Sequence, residues 1–406
     1  MSGWATCLVL GAIELLSPRM GATVELLPDC QRRVMAHETM SARLAELSKG
    51  TVGDVPARWR KSNPVVFEWR TTDGEKGPWE LCIGKSPDLS DARSFVFEGR
   101  PVDPASGLPL PKDEPGDFFR FEDALLNLEV GARYYWRVTG CLTCGRQFHA
   151  RVCACDDRRG PVRSGIGEFA TGADAPRWIA VEGRVGNFRD LGGRVGRNGR
   201  RVRQGLVFRS QGLNDNSADG VEPGRNRLMV SDREYLTKVL GIRTDLDLRT
   251  DCETGGMNGV SPLGANVRYI HRSSPLYAGC FRPEGMKTMA ENFRVFCDRA
   301  NYPVLFHCIG GADRTGALAY VLNGILGVER RELETDWEST YYPNIPGADE
   351  SLGGEHVWNS EWHFEEGFME YGGEDSTWNE RIASYLLACG VTDEEIASFR
   401  SIMLEE

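Results

Sequence analysis

Between residues 56 and 172 the chain alternates apolar and polar positions in short runs. In Pro64-Val-Val-Phe-Glu-Trp-Arg70, Val65, Phe67 and Trp69 fall on one face and Val66, Glu68 and Arg70 on the other. That two-residue period predicts a strand with one buried face. Ala132, Tyr134, Trp136 and Val138 repeat the pattern, with Tyr135 and Arg137 turned outward, and Ser94–Phe97 and Phe118–Phe121 are shorter strand candidates. Gly and Pro clusters such as 101–115 separate these runs. Short strands with such punctuation predict an all-β sandwich. From about 173 the rhythm changes. Buried strand-like runs at Leu206–Phe208, Thr244–Leu248, Val267–Ile270 and Val304–Phe306 now alternate with helical ones. Met289, Phe293 and Phe296 mark a helix over 286–300, and Leu318, Val321, Leu322, Ile325 and Leu326 form a second apolar stripe. A last helix starts at Thr392, where Glu395 completes a capping box. Alternating strands and helices predict an α/β fold with a mostly parallel central sheet flanked by helices.

Three segments follow: a tail or packing arm over 1–55 with a short helix at Glu38–Leu47, a β-sandwich over 56–172, and an α/β domain over 173–406. The 406-residue length accommodates them. Trp4–Ile13 is an apolar run of signal-peptide length. It lacks a basic flank and is interrupted by Glu14, so a weak export signal in residues 1–20 and a cytosolic N-terminal helix both remain open. No run is long and apolar enough to span a membrane.

With 41% apolar and 26% charged residues the composition is that of a folded chain. The net charge of −11 disfavours nucleic acid and anionic membranes as general partners, so a phosphate site must be positive locally. Arginine is uneven: eight lie between Arg184 and Arg209, read as a solvated face in preference to a polyanion surface. The twelve cysteines are mostly scattered, which favours reduced, buried thiols and a cytoplasmic setting. Cys141, Cys144, Cys153 and Cys155 are grouped, and their spacing is compatible with Zn²⁺, with two disulfides or with four free thiols.

The chemistry concentrates in Val304-Leu-Phe-His-Cys-Ile-Gly-Gly-Ala-Asp-Arg-Thr-Gly316. A strand that breaks into a tight loop before a helix turns backbone N–H groups inward and adds the helix dipole, which makes an anion site. The amides of Ile309, Gly310, Gly311 and Ala312 would hold phosphate oxygens, the two glycines taking backbone angles other residues resist. Arg314 would grip two oxygens at once. The same field favours the thiolate of Cys308, the attacking form. Asp313 is placed to protonate the leaving oxygen, Thr315 to hydrogen-bond the sulfur, and His307 to brace the loop. Asp190 and Arg189 are further candidate neighbours, with a structural turn as the alternative; Asp247 is a second candidate acid or a strand-end hydrogen bond. The reaction needs neither metal nor cofactor. Nine aromatic residues from Trp337 to Trp378 would form a lid over a bulky ester or a packed cover.

This segment resembles the His-Cys-x5-Arg-Ser/Thr signature of the cysteine-based protein tyrosine phosphatases, and within them the bacterial and fungal branch whose loop reads His-Cys-x-x-Gly-Lys-Asp-Arg-Thr-Gly. The resemblance implies an acid inside the loop, at Asp313. It departs at Ala312, where the branch has lysine, which counts against phosphoinositides as substrates. Gly186-Asn-Phe-Arg-Asp-Leu-Gly-Gly193 resembles the motif that opens that domain, and Phe208-Arg-Ser210 and Gly241–Arg249 follow in family order. Tyr134–Val138 and Gly167–Thr171 resemble the last strands of a fibronectin type III or immunoglobulin-like module, which would contact protein or carbohydrate, or only its neighbour. The implied function is phosphomonoester hydrolysis through a phosphocysteine, on a phosphotyrosine protein or small phosphate ester. An inositol-phosphate phosphatase and a silent phosphate-binding pseudophosphatase are the alternatives.

Overall fold

The computed structural model describes residues 13–49, 62–72, 77–111, 114–140, 162–215, 226–257, 259–341 and 364–406. The cysteine group 141–155, residues 4–12 of the apolar run Trp4–Ile13, and Tyr342, Trp358 and Trp362 lie outside these residues. Two compact units emerge, one of residues 1–26, 64–126 and 131–173, the other of 27–63, 127–130 and 174–406.

In the first unit, Ile13–Ser17, Val66–Thr71 and Phe118–Glu122 form a three-stranded antiparallel sheet. A six-stranded sheet contains Ala22–Val24, Gly167–Thr171, Arg133–Gly140, Trp79–Gly84 and Arg93–Phe97, with Val162–Arg163 paired to Arg133–Gly140. The alternation reads through to burial: Val65, Phe67 and Trp69 are buried, as are Tyr134, Trp136 and Val138. Their rings meet, Phe67 against Trp136 at 4.9 Å and Trp69 against Trp79 at 5.5 Å, in the edge-on geometry that aromatic quadrupoles favour.

The first 55 residues do not form one arm. Ile13–Ser17 and Ala22–Val24 are strands of the first unit, whereas the helices Asp29–Met35 and Met40–Lys49 belong to the second. Arg43 is fully buried there, bonding Glu338 Oε2 at 2.6 Å, Glu334 at 2.6 Å and the His37 and Glu38 carbonyls.

The second unit is built on five strands: β1 (Arg189–Asp190), β2 (Val207–Ser210), β3 (Thr244–Asp247), β4 (Arg268–His271) and β5 (Val304–His307), in spatial order β1-β2-β5-β3-β4. All pairings are parallel except β1 with β2. Strand β5 is central, and His307 lies level with Ser210 on one side and Asp247 on the other. Whatever follows His307 therefore emerges at the carboxyl ends of three parallel strands, where open α/β sheets hold their ligands. Helices Pro283–Val295, Asp313–Ile325, Arg330–Glu338, Trp378–Ala388 and Asp393–Met403 share a core with Val207, Leu246, Val304 and Phe306 on one face of this sheet, while Phe208 and Leu305 on the other face pack with Leu236 and Ile242. The first begins earlier than the apolar stripe suggests because Pro283 fits the first turn, and Phe296 already caps it. Thr392 and Glu395 form the expected capping box. No helix among the described residues is long and apolar enough to cross a membrane.

Candidate active site

The loop from Cys308 to Ala312 joins β5 to the helix Asp313–Ile325. Its carbonyls are tied outward one after another. Gly212 N donates to Ile309 O at 2.9 Å. Asn187 Nδ2 donates to Gly310 O at 3.1 Å and Gly311 O at 2.9 Å, and Arg209 Nη2 donates to Gly311 O at 2.6 Å. A planar trans peptide sets each C=O opposite the next N–H. Fixing these three carbonyls therefore turns the amides of Gly310, Gly311 and Ala312 the other way, and among the described residues none of the three meets an acceptor. The first helical bond runs from Gly316 N to Ala312 O, so the amides of Asp313, Arg314 and Thr315 belong to the open helix end. Six successive donors are thus kept out of the protein's own backbone pairing, as an oxyanion site requires.

The two glycines differ. Gly311 has φ +66°, and a Cβ there would sit 2.6 Å from the Ser210 carbonyl carbon and 2.8 Å from Gln211 N. Gly310 carries neither constraint, its nearest neighbour being Ala312 Cβ at 4.0 Å, so the expectation of a special backbone angle holds at one glycine only. Gly311→Ala is expected to cut turnover at least ~100-fold by displacing the loop about an ångström, whereas Gly310→Ala keeps wild-type melting. Steady-state kinetics and a thermal melt of both variants check this.

Arg314 is buried at the loop's far end, with Nη1 and Nη2 on the two Glu253 oxygens at 2.5 and 3.1 Å. Its buried Nε–H has no partner among the described residues. Burial works against the Arg314 charge, but Glu253, the Cys308 and Asp313 charges and the hydrogen bonds outweigh it and hold the guanidinium pKa up. Glu253 is pulled down to about 2: burial opposes this, and the bonds from Arg314 and Thr250 prevail. Cys308 is buried at the end of β5. The Thr315 hydroxyl is buried and unpartnered among the described residues. Asp313 Oδ1 accepts a hydrogen bond from the Tyr277 hydroxyl.

Behind the loop lies a buried charge cluster. The Asp336 carboxylate receives Arg189 Nε at 3.0 Å, Arg194 Nη2 at 3.0 Å and Arg209 Nη1 at 2.6 Å. All four groups are buried. Burial alone would raise the Asp336 pKa, and the three guanidiniums drive it well below the usual carboxylate range. Arg189 also donates to Asn187 Oδ1, which fixes the Asn187 amide so that its nitrogen faces the loop carbonyls. Two routes thus connect Asp336 to the loop, one through Arg209 and one through Arg189 and Asn187.

Several expected neighbours take other places. Asp190 is buried against Arg177 at 2.9 Å and accepts from the Gly192 and Gly205 amides at 2.9 and 2.6 Å, so its carboxylate is committed to the turn beside β1. The His307 ring does brace the loop: it is buried with Nδ1 3.3 Å from Cys308 O and 3.7 Å from Asp247 Oδ1, and Nε2 3.0 Å from Asp245 Oδ1. Burial pulls its pKa down, and the two aspartates reverse this to a net rise. Asp247 is held by Arg249 at 2.6 Å and Tyr269 Oη at 2.9 Å. Of the aromatic segment, Trp337, Phe364 and Phe368 are buried against Tyr320, Phe281 and Tyr385, in the manner of a packed cover. No group of three or more metal-ligating side chains occurs among the described residues.

Glu253, Tyr277 and Asp336 were not found from sequence. Thr250-Asp-Cys-Glu253 does carry a capping-box pattern, but that pattern says nothing of Arg314.

Comparison with known proteins places these residues in context. A model of the tyrosine phosphatase family matches residues 180–405. A curated "Putative tyrosine-protein phosphatase" of Cupriavidus necator is 27% identical over 188 residues, 39% of this chain and 64% of that protein. The chain therefore spans somewhat less than two thirds of that relative's length. Among solved structures, the core catalytic domain of the PP-IP phosphatase Siw14 from S. cerevisiae aligns at 12% identity and a TM-score of 0.25, covering 39% of this chain and 88% of that one. A second structure of the Siw14 catalytic core aligns at 13% identity and a TM-score of 0.24, covering 36% and 77%.

Proposed function

The chain belongs to the tyrosine phosphatase family, and from that premise we propose that it hydrolyses phosphomonoesters through a phosphocysteine at Cys308, with phosphotyrosine as the substrate class. The observation that carries the reading is the loop whose Ile309, Gly310 and Gly311 carbonyls are tied outward, beside the buried Arg314 guanidinium whose Nε–H has no partner among the described residues.

In the first step Cys308 Sγ attacks phosphorus as the bond to the ester oxygen breaks. That oxygen takes a proton from the Asp313 carboxyl. Loop amides and Arg314 stabilise the equatorial oxygens, and Glu253 keeps the guanidinium in plane. In the second step Asp313 accepts a proton from water, the water oxygen bonds to phosphorus, and the S–P bond returns its electrons to Cys308. Thr315 donates to the departing sulfur. His307 and Asp190 act as framework in this scheme. No metal or cofactor takes part.

The β-rich first unit is proposed to be a fibronectin type III or immunoglobulin-like sandwich serving recognition of protein or carbohydrate. Its alternating buried faces support that assignment.

A substrate panel of phosphotyrosine peptide, phosphoserine peptide and inositol hexakisphosphate, run on wild type and Asp313→Asn, tests the scheme. Phosphotyrosine is expected to be fastest, and Asp313→Asn to lose about 100-fold or more. Faster turnover of the inositol phosphate would replace the substrate assignment. Tight phosphopeptide binding without turnover would make the chain a pseudophosphatase.

A further inference from the structure

Tyr277 stands out beside the loop. It has φ +42°, a left-handed backbone that a bulky residue adopts only when its surroundings enforce it. The surroundings do. On one side, Asn292 Nδ2 holds Ser274 Oγ at 2.9 Å, and Ser274 N donates to Leu248 O at 3.2 Å. On the other, Tyr385 Oη donates to Cys280 O at 2.8 Å. Gly285, at the start of the Pro283–Val295 helix, lies so close to the Gly279 carbonyl that no Cβ fits between them. The turn is therefore pinned at both ends, with Tyr277 between. Its side chain is half-buried against the core and its hydroxyl donates to Asp313 Oδ1.

Resting on the reading of Asp313 as the general acid, we infer that Tyr277 is the positioning residue for that acid. A carboxyl has two oxygens, and its proton sits on one of them. With Oδ1 occupied as an acceptor from Tyr277, the transferable proton is confined to Oδ2, which has no partner among the described residues. The hydroxyl thereby fixes both the rotation of the carboxyl and which oxygen delivers the proton. The strained backbone supplies the rigidity, since a relaxed turn would let the phenol drift from the carboxyl.

The consequence is specific to proton delivery. An ester whose leaving oxygen is strongly basic needs the acid, whereas p-nitrophenolate departs with little help. Tyr277→Phe keeps the ring and its packing. It is expected to lower kcat about tenfold on phenyl phosphate and less than about twofold on p-nitrophenyl phosphate, with KM near wild type on both. Asp313→Asn is expected to show the same leaving-group bias more strongly, and the double variant to behave as Asp313→Asn alone. All three are assayed as full-length, folded protein. Equal losses on both esters in Tyr277→Phe, with Asp313→Asn still biased, would overturn the positioning role and leave the acid assignment standing. An unbiased Asp313→Asn would overturn the acid assignment, and the role of Tyr277 with it.

Discussion

Cys308→Ser is expected to lower aryl phosphate hydrolysis by a factor on the order of 10⁵, with the loop still able to bind an oxyanion. The loss follows from the chemistry of the atom replaced. A serine hydroxyl at the end of β5 would need a base to become a nucleophile, and none stands ready: the His307 ring is enclosed by Asp245 and Asp247, and Asp313 Oδ1 is occupied by the Tyr277 hydroxyl. The anion site itself rests on other groups. The carbonyl ties from Gly212, Asn187 and Arg209, and the Glu253–Arg314 pair, do not involve the sulfur. Tungstate or vanadate should therefore bind the variant, read by calorimetry, while turnover is at background. Residual turnover within tenfold of wild type would exclude a phosphocysteine route.

The second large effect concerns stability. Asp336→Asn would leave Arg189, Arg194 and Arg209 buried together without their shared carboxylate. Removing one member of a buried ion group costs about 3–5 kcal/mol, because the remaining charges stay desolvated and here repel one another. In a domain of this size that corresponds to a fall in melting temperature of roughly 10 °C. The sign of the pH dependence follows from the depressed Asp336 pKa. Its contribution is complete above the unfolded carboxylate value of about 4 and is lost as the pH falls from there towards the native value. Wild type should hence lose its advantage over Asp336→Asn on acidification below about pH 4, and the two melting curves should converge. Identical melting of the two proteins at pH 7 would show that the arginines do not depend on Asp336. The variant should also lose activity, since Arg209 and the Arg189–Asn187 pair carry the cluster's order to the loop carbonyls.

Local physics made a large part of the molecule readable before any coordinates. Val304–His307 is a strand because a short apolar run ended by polar and glycine positions has no better way to bury itself. Thr392 and Glu395 announced a helix because capping is a four-residue event. The loop after β5 was legible for the same reason: Cys308, the glycines, Asp313, Arg314 and Thr315 are one continuous stretch whose spacing already encodes the shape.

What escaped the sequence was fixed by distant pairing. Ile13–Ser17 lies where the sequence left an export signal and an N-terminal helix both open, and it is a strand, since Ile13 aligns with Thr71 and no local pattern records that partner. Asp190 was grouped with the site through its motif, but the fold gives its carboxylate to Arg177 and two amides. Within that same motif, Asn187 is the residue that touches the loop. Glu253, Tyr277 and Asp336 sit on three separate elements, and none is unusual for its surroundings in the chain. The sequence alone determined which residues carry reactive groups and how the loop bends, because those depend on neighbours a few bonds away. Only the tertiary structure decided which carboxylate meets which guanidinium and which hydroxyl meets Asp313, because a hydrogen bond or ion pair is set by distance in space and a linear chain does not contain that distance.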